Sequence, residues 1–435
     1  MHVRRNLRSG FDRTVFVLAA ICAFLFGCDV SVLPSAAIAP NERPSLPSEF
    51  PPVVSPVIEW DDDNNSFATA QFATLPTEGE ILVEGAINGA GDVDFFALGP
   101  ALLGDRVTVE VFGENGLNTV AALFDADMNL IDANDDRSYY AGMLDPFMSL
   151  SLRGDTENLY LGIAVSNGRY FASSEGRYDS GRYTIRLRRA PNQFLPPARN
   201  QLVYLNFSGG AEVRIASQPV EVMRPFSAEA ISGRFSGQSE TLARLVVEHM
   251  RRDLAEFDVT LISSLGEPAP AAAHTRLYFG NFSADFLGLA DNVDVGNLVP
   301  DQKAIIFTET LAQWEILQPS LEQVAQAIAN VASHELGHLL GLDHTGEAGD
   351  VMAVARSAGQ MLDNDAVYRR AALESGVFPM GWQDSYTTLM RNVGANPITG
   401  AGRMRLADVV PSTPAAARAL DLPVNMCERC RDCVE

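Results

Sequence analysis

The chain has 435 residues, 47% of them hydrophobic, and a formal net charge of −23 at pH 7. Such a length exceeds one ordinary core and calls for two folded units with connecting segments. The acidity argues against a nucleic-acid surface or a face that binds anionic membrane, so nucleic acid is excluded as a partner.

At the amino end Arg4, Arg5, Arg8 and Arg13 precede the apolar run TVFVLAAICAFLFG, which stops at Cys28. A basic flank followed by a short apolar stretch reads as an export signal over residues 1–27, the alternative being a short membrane anchor. The segment LFGC, Leu25 to Cys28, resembles a bacterial lipobox, with Phe26 where a small residue is commoner. That resemblance implies lipidation of Cys28 and a chain held in the bacterial cell envelope; cleavage without lipidation implies a secreted one. Any membrane association would then run through the lipid alone.

Residues 28–57 carry prolines every few positions and no helical or strand period, which predicts an extended tether. Residues 58–191 contain short, often alternating runs (EILVEGAI, DRVTVEVFG, NLYLGIAVS, RYTIRLRR) divided by Gly, Asp and Asn. That spacing predicts an all-β sandwich. The order EWDDDNNSFATAQ, VEGAINGAGDVDFFAL, GRYTIRL resembles the pre-peptidase C-terminal domain found beside secreted bacterial proteases. Asp61, Asp62, Asp63, Asp92 and Asp94 either gather oxygen ligands for Ca2+ or are solvated turn residues.

From 198 to 400 the period changes. NQLVYLNFSG, DVTLISS, HTRLYFGN and DQKAIIFTE read as strands, and SGQSETLARLVVEHMRRDLAEF and PSLEQVAQAIANVASHELGHLLG as long amphipathic helices. Ser320 and Gln323 form the pattern of a capping box at the start of the second. The fold class is therefore multidomain: an all-β sandwich followed by an α/β unit, with a tail over 401–435 bearing Cys427, Cys430 and Cys433. Those three thiols suit disulfide chemistry or an incomplete metal knuckle.

Three of the six histidines lie in the stretch SHELGHLLGLDH. His334 and His338, four apart, leave one helix face, and Gly341 can take the positive φ that turns the chain back to bring in His344. Three imidazoles with an open fourth position suit a catalytic zinc, with Glu335 beside it as general base. Met352 would floor the site as a packing residue rather than a ligand. His249 and His274 have no partner pattern and read as surface or capping residues.

At these residues HELGHLLGLDH followed by DVM resembles the zinc signature and Met-turn of the metzincin metalloproteases, most closely the matrixin branch. The resemblance implies Zn2+ on His334, His338 and His344, Glu335 as the base, protein or peptide substrates, and a strand near Ala304–Thr308 as the sheet edge that receives them. The chain departs from the pattern at Thr345, where matrixins usually carry serine, and at Val354, where other branches place a tyrosine. The segment after the Met-turn matches no branch. The rival reading is a surface-anchored binding or adhesion protein whose protease-like part is an inactive scaffold.

Overall fold

Alternation of large apolar and polar residues drives the amino-terminal half of the structure. The computed structural model describes residues 55–59, 63–89, 91–138, 142–166, 180–215, 221–354, 356–398, 423–424 and 427–428. The expected signal, nearly all of the tether, Cys28, Asp61, Asp62, Cys430 and Cys433 lie outside them. Among the described residues no helix is long and apolar enough to cross a membrane.

Among the described residues of the amino-terminal half, ten strands form two five-stranded sheets. They are β1 (Val57–Ile58), β2 (Gln71–Phe72), β3 (Gly79–Ile87), β4 (Val93–Ala101), β5 (Arg106–Gly113), β6 (Thr119–Phe124), β7 (Leu130–Asn134), β8 (Phe147–Ser151), β9 (Thr156–Val165) and β10 (Gly181–Ala190). One sheet runs β1-β3-β10-β5-β8 and the other β2-β4-β9-β6-β7. Along β10, Tyr183, Ile185 and Leu187 turn inward while Arg182, Arg186 and Arg188 turn out. They meet Val107, Val109 and Val111 of β5 and Leu123 and Leu161 of the second sheet in one core.

Strand β6 breaks the one-face rule, for all six of its residues are buried. Ala121 and Leu123 enter the sandwich core, whereas Val120, Ala122 and Phe124 join a second cluster with Val377 and Phe378. The sequence-based division into separate sandwich and catalytic domains therefore misses a third layer. A segment far down the chain covers the outer face of the second sheet, and residues 54–435 form one compact unit.

The α/β part carries β11 (Gln201–Asn206), β12 (Gly210–Val213), β13 (Glu221–Met223), α1 (Ala228–Ile231), α2 (Ser239–Asp253), β14 (Val259–Ser263), β15 (Thr275–Gly280), β16 (Gly288–Ala290), β17 (Lys303–Phe307) and α3 (Leu321–Leu339). Then follow β18 (Arg356–Ser357), α4 (Ala358–Asp363), β19 (Arg370–Ala372), β20 (Trp382–Asp384), α5 (Ser385–Asn392), β21 (Pro423–Val424) and β22 (Cys427–Glu428). Its sheet runs β14-β11-β15-β17-β16-β22. Strands β14, β11, β15 and β17 are parallel, and β16 is antiparallel to β17.

This order corrects the expectation for Ala304–Thr308. Strand β17 is interior, paired on both sides, with Ala304, Ile305, Ile306 and Phe307 all buried. Beyond β17 comes β16 and then the two-residue β22, which holds the edge. Three residues, Gly-Leu-Ala, are too few to show a period in sequence, and their place follows only from pairing with β17.

Helix α3 packs its apolar residues into the main core beside α2, and every residue from Val324 to Leu339 is buried. Burial on all sides leaves its polar residues dependent on one another and on neighbouring elements.

Candidate metal centre

The capping box is present: the Ser320 hydroxyl accepts from the Gln323 amide at 3.2 Å, and the Gln323 side chain accepts from the Ser320 amide at 2.8 Å. It fixes where α3 starts and so the phase of the face that carries His334, Glu335 and His338. At the other end Gly341 adopts φ 94°. A β-carbon there would come within 2.7 Å of the Asp294 carbonyl oxygen, so both backbone and space require glycine. The turn returns His344 to the helix.

His334 Nδ1 donates to the Val351 carbonyl at 2.9 Å, and His338 Nδ1 to the Leu342 carbonyl at 2.8 Å. A carbonyl can only accept, so each ring holds its proton on Nδ1 and turns an Nε2 lone pair inward. His338 Nε2 lies 3.2 Å from His334 Nε2 and 3.1 Å from His344 Nε2. Facing lone pairs repel, whereas two nitrogens ~2.05 Å from one zinc at a tetrahedral angle stand roughly 3.3 Å apart. The residues fit the ion. Burial, then His338, holds His334 well below the usual imidazole range, in the neutral form a metal needs. Among the described residues this is the one group of three or more such side chains that converges.

Glu335 is fully buried, and neither of its carboxyl oxygens has a hydrogen-bond partner. Burial pushes it well above the usual carboxylate range. Leaving a buried polar group unsatisfied costs roughly 1–3 kcal/mol, more for a charge. A neighbouring cation acts in the opposite direction on the carboxyl. Over Glu335 sits Gly288 of β16, where any β-carbon would overlap the carboxyl group. That glycine went unnoticed in the sequence because its partner is 47 positions away.

Met352 is fully buried, and a β-carbon on Gly337 would overlap its sulfur. Glycine between the two helical histidines thus lets the thioether rise against the helix. The turn that carries Met352 is braced by Asp350, whose carboxylate accepts from the Thr345 hydroxyl at 2.8 Å and the Ser385 hydroxyl at 3.3 Å. Burial raises Asp350 to about 6 against those donors. Thr345, noted in sequence only as a departure, supplies that strut with its hydroxyl. One residue before His334, the Ser333 hydroxyl donates to Asp253 of α2 at 2.7 Å, and Tyr368 donates to the Ser333 carbonyl at 2.6 Å.

Other sequence candidates lie elsewhere. His249 and His274 are buried rather than superficial, the first against Glu322 at 2.9 Å, the second donating to or accepting within the Ala272–Arg276 loop and strand. Asp63 is exposed, and Asp92 accepts from the Asn88 amide at 2.7 Å. Asp94 is buried, accepts from Tyr183 at 2.6 Å and is raised to about 9 by burial and then by the hydrogen bond with Glu59, a residue the sequence reading did not single out. The segment after the Met-turn supplies β19, β20, α5 and the Val377–Phe378 plug.

Residues 289–368, less than a fifth of the chain, match the model of the Matrixin family. The match takes in all three histidines, Glu335 and Met352. It supports a metallopeptidase and, with the three-histidine cluster, points to zinc. No curated protein matches this chain. Solved structures with local likeness include a periplasmic inhibitor of g-type lysozyme, PliG, from Aeromonas hydrophila, at 16% identity over 28% of this chain and 99% of that one, TM-score 0.20. The pre-peptidase C-terminal domain of a collagenase from Bacillus anthracis matches at 15% identity over 28% of this chain and 94% of that one, TM-score 0.19. Archaemetzincin from Methanopyrus kandleri matches at 16% identity over 39% and 90%, TM-score 0.21.

Proposed function

We propose that this chain is a zinc-dependent endopeptidase that hydrolyses peptide bonds in proteins or peptides. The observation that carries the reading is the convergence of imidazole lone pairs beside the unpartnered, buried carboxyl of Glu335. His334, His338 and His344 would hold a zinc ion, which would supply Lewis acidity toward a peptide carbonyl and make a bound water more acidic. Glu335 takes the proton of the attacking water and passes it to the leaving amine. The carbonyls of Val351 and Leu342 keep two rings in the required tautomer, and Met352 packs against the helix between them at Gly337.

The test is cleavage of an unbiased peptide mixture by the zinc-loaded chain beside Glu335→Ala, with bound zinc quantified in both. Retained zinc with a loss of about 10²–10⁴-fold in cleavage is expected. Equal cleavage by the two proteins would remove Glu335 from the mechanism. A surface-binding role on an inactive scaffold leaves the buried, unpartnered carboxyl without a purpose.

Two further readings accompany this one. Export with a lipid on Cys28 is supported by the arginine flank and the apolar run that ends there; a membrane-extracted chain still carrying residues 1–27 would refute it. Calcium on the sandwich is supported by the buried Asp94, where Asp94 Oδ1 and Asn64 Oδ1 have no hydrogen-bond partner. Its test is argued below.

A further inference from the structure

Each sheet of the sandwich ends on a strand with a single neighbour, β8 in the first and β7 in the second. Along β8 successive residues address opposite sides, as antiparallel pairing requires. Leu152 donates its amide to the Asp105 carbonyl, and the Pro146 carbonyl accepts from the Val111 amide, so the even-numbered residues face β5. The odd-numbered ones face away: the Phe147 amide donates to the Asn134 side chain of β7 at 3.0 Å. Ser149 and Ser151 turn their main-chain groups the same way, and among the described residues no strand pairs with them there. Beside this edge lies a cavity of about 530 Å³, walled by Ser149–Leu152, by residues 130–132 of β7, and by Gly341 and Asp343 of the turn that leads to His344. That volume lies in the range of ligand sites. The wall that adjoins His344 is fixed, for the Gln383 side chain accepts from the Asp343 amide at 2.6 Å and donates to its carbonyl at 2.7 Å. Six carboxylates, among them Asp127 and Asp155, line the cavity against three guanidiniums. Two of the guanidiniums are already engaged, Arg153 with the carbonyls of Pro196, Gly296 and Arg391, and Arg106 with the Ser149 hydroxyl. The cavity therefore favours positive charge.

We infer that the edge of β8 at Ser149 and Ser151, with the cavity beside it, binds an extended, lysine- or arginine-bearing segment of a protein substrate as an added strand. The inference rests on the peptidase reading and deepens it, giving the substrate a second point of attachment beside the turn that carries His344. Open main-chain groups pair with any extended peptide and so select for conformation; the excess of carboxylates selects for charge. Leu130, Ile131 and Leu150 in the wall offer apolar contact to side chains between the basic ones. A substrate held there keeps its remaining length at high local concentration around the histidines. Such binding is the same in ground and transition states, so it lowers KM and leaves the chemical step alone.

Binding is measured by fluorescence anisotropy of two labelled decapeptides, identical but for lysine or glutamate at alternate positions, added to the full-length Glu335→Ala chain. Amide hydrogen exchange at Ser149 and Ser151 is followed alongside. Hydrolysis by the zinc-loaded parent is measured on a peptide it cuts, alone and joined by a flexible linker to the lysine decapeptide. Saturable binding of the lysine peptide, on the order of tenfold tighter than the glutamate one, is expected with slowed exchange at both serines. The joined substrate should show a KM about tenfold lower at the same kcat. Ser151→Pro removes one outward donor and keeps the pairing with β5; it should weaken binding about tenfold and abolish the gain in KM. Asp127→Lys, at an exposed carboxylate of the cavity, leaves the backbone alone and should weaken binding about two- to fivefold. Equal affinity for the two peptides, or binding and exchange unaltered by both substitutions, overturns the inference, while cleavage of the unjoined peptide keeps the peptidase reading intact. Binding at the edge with no hydrolysis by the parent supports the added strand and overturns the peptidase reading instead.

Discussion

Glu335 and Asp94 are both buried carboxyls, and their surroundings assign them different work. Neither carboxyl oxygen of Glu335 has a hydrogen-bond partner, and it stands next in the chain to His334 of the three-histidine group. Asp94 has Tyr183 and Glu59 for company and rises from 3.8 to about 9, with burial the first cause. Between those values the folded chain holds a proton that the unfolded chain has released, so stability falls as pH rises across the interval. Asp94→Asn removes that titration while keeping an acceptor for Tyr183. Its melting temperature should decline less than that of the parent from about pH 5 to about pH 8.5 in calcium-free buffer. If calcium binds there, adding it flattens the parent's decline and leaves the variant unmoved; identical profiles for parent and variant would sink the titration argument. The histidines, Glu335 and Met352 were legible as single letters because their spacing encodes helix face and turn. Asp350, Ser333 and Asp253 were not, because each acts on a residue that only folding brings near.

Among the elements, the turn after α3 shows how one residue positions another. Gly341→Ala meets a positive φ costing ~1 kcal/mol, and a crowded Asp294 carbonyl adds to it. We expect roughly 1–3 kcal/mol of destabilisation and a lower zinc stoichiometry, since His344 follows the turn. Metal analysis beside thermal melting decides this, and unchanged values for both would dismiss the turn as the device that delivers His344. Helix α3, its cap and the parallel strands were plain from period and capping residues. Strand β16 was not, and the sequence reading gave the edge role to Ala304–Thr308 by resemblance alone. An apolar run signals burial; in this sheet burial means the interior.

For the molecule as a whole, the sandwich and the α/β part share a cluster built from both. Phe378 sits edge-on to Phe95 at 5.9 Å and Phe124 at 5.5 Å, in space left by Gly162. Arg153 of the sandwich donates to the Gly296 carbonyl at 2.7 Å and the Arg391 carbonyl at 3.3 Å, and Arg370 to Asn129 at 2.7 Å. Truncating a buried phenylalanine such as Phe378 to alanine costs about 3–5 kcal/mol. Phe378→Ala should therefore split one calorimetric transition into two, the second sheet losing its outer cover. Two resolved transitions already present in the parent would show that the parts are not coupled.

The sequence by itself determined the spacing of the three histidines on and after one helix, and that a β-rich part precedes an α/β part. Histidine spacing on a helix, a glycine stop and alternating strands are local patterns, and local sterics are enough to read them. Only the tertiary structure decided that β17 lies inside the sheet, that a glycine lies over Glu335, and that a plug from beyond the Met-turn seals the sandwich. Each of these joins residues distant in the chain through packing or backbone pairing, whose partners no local period can specify.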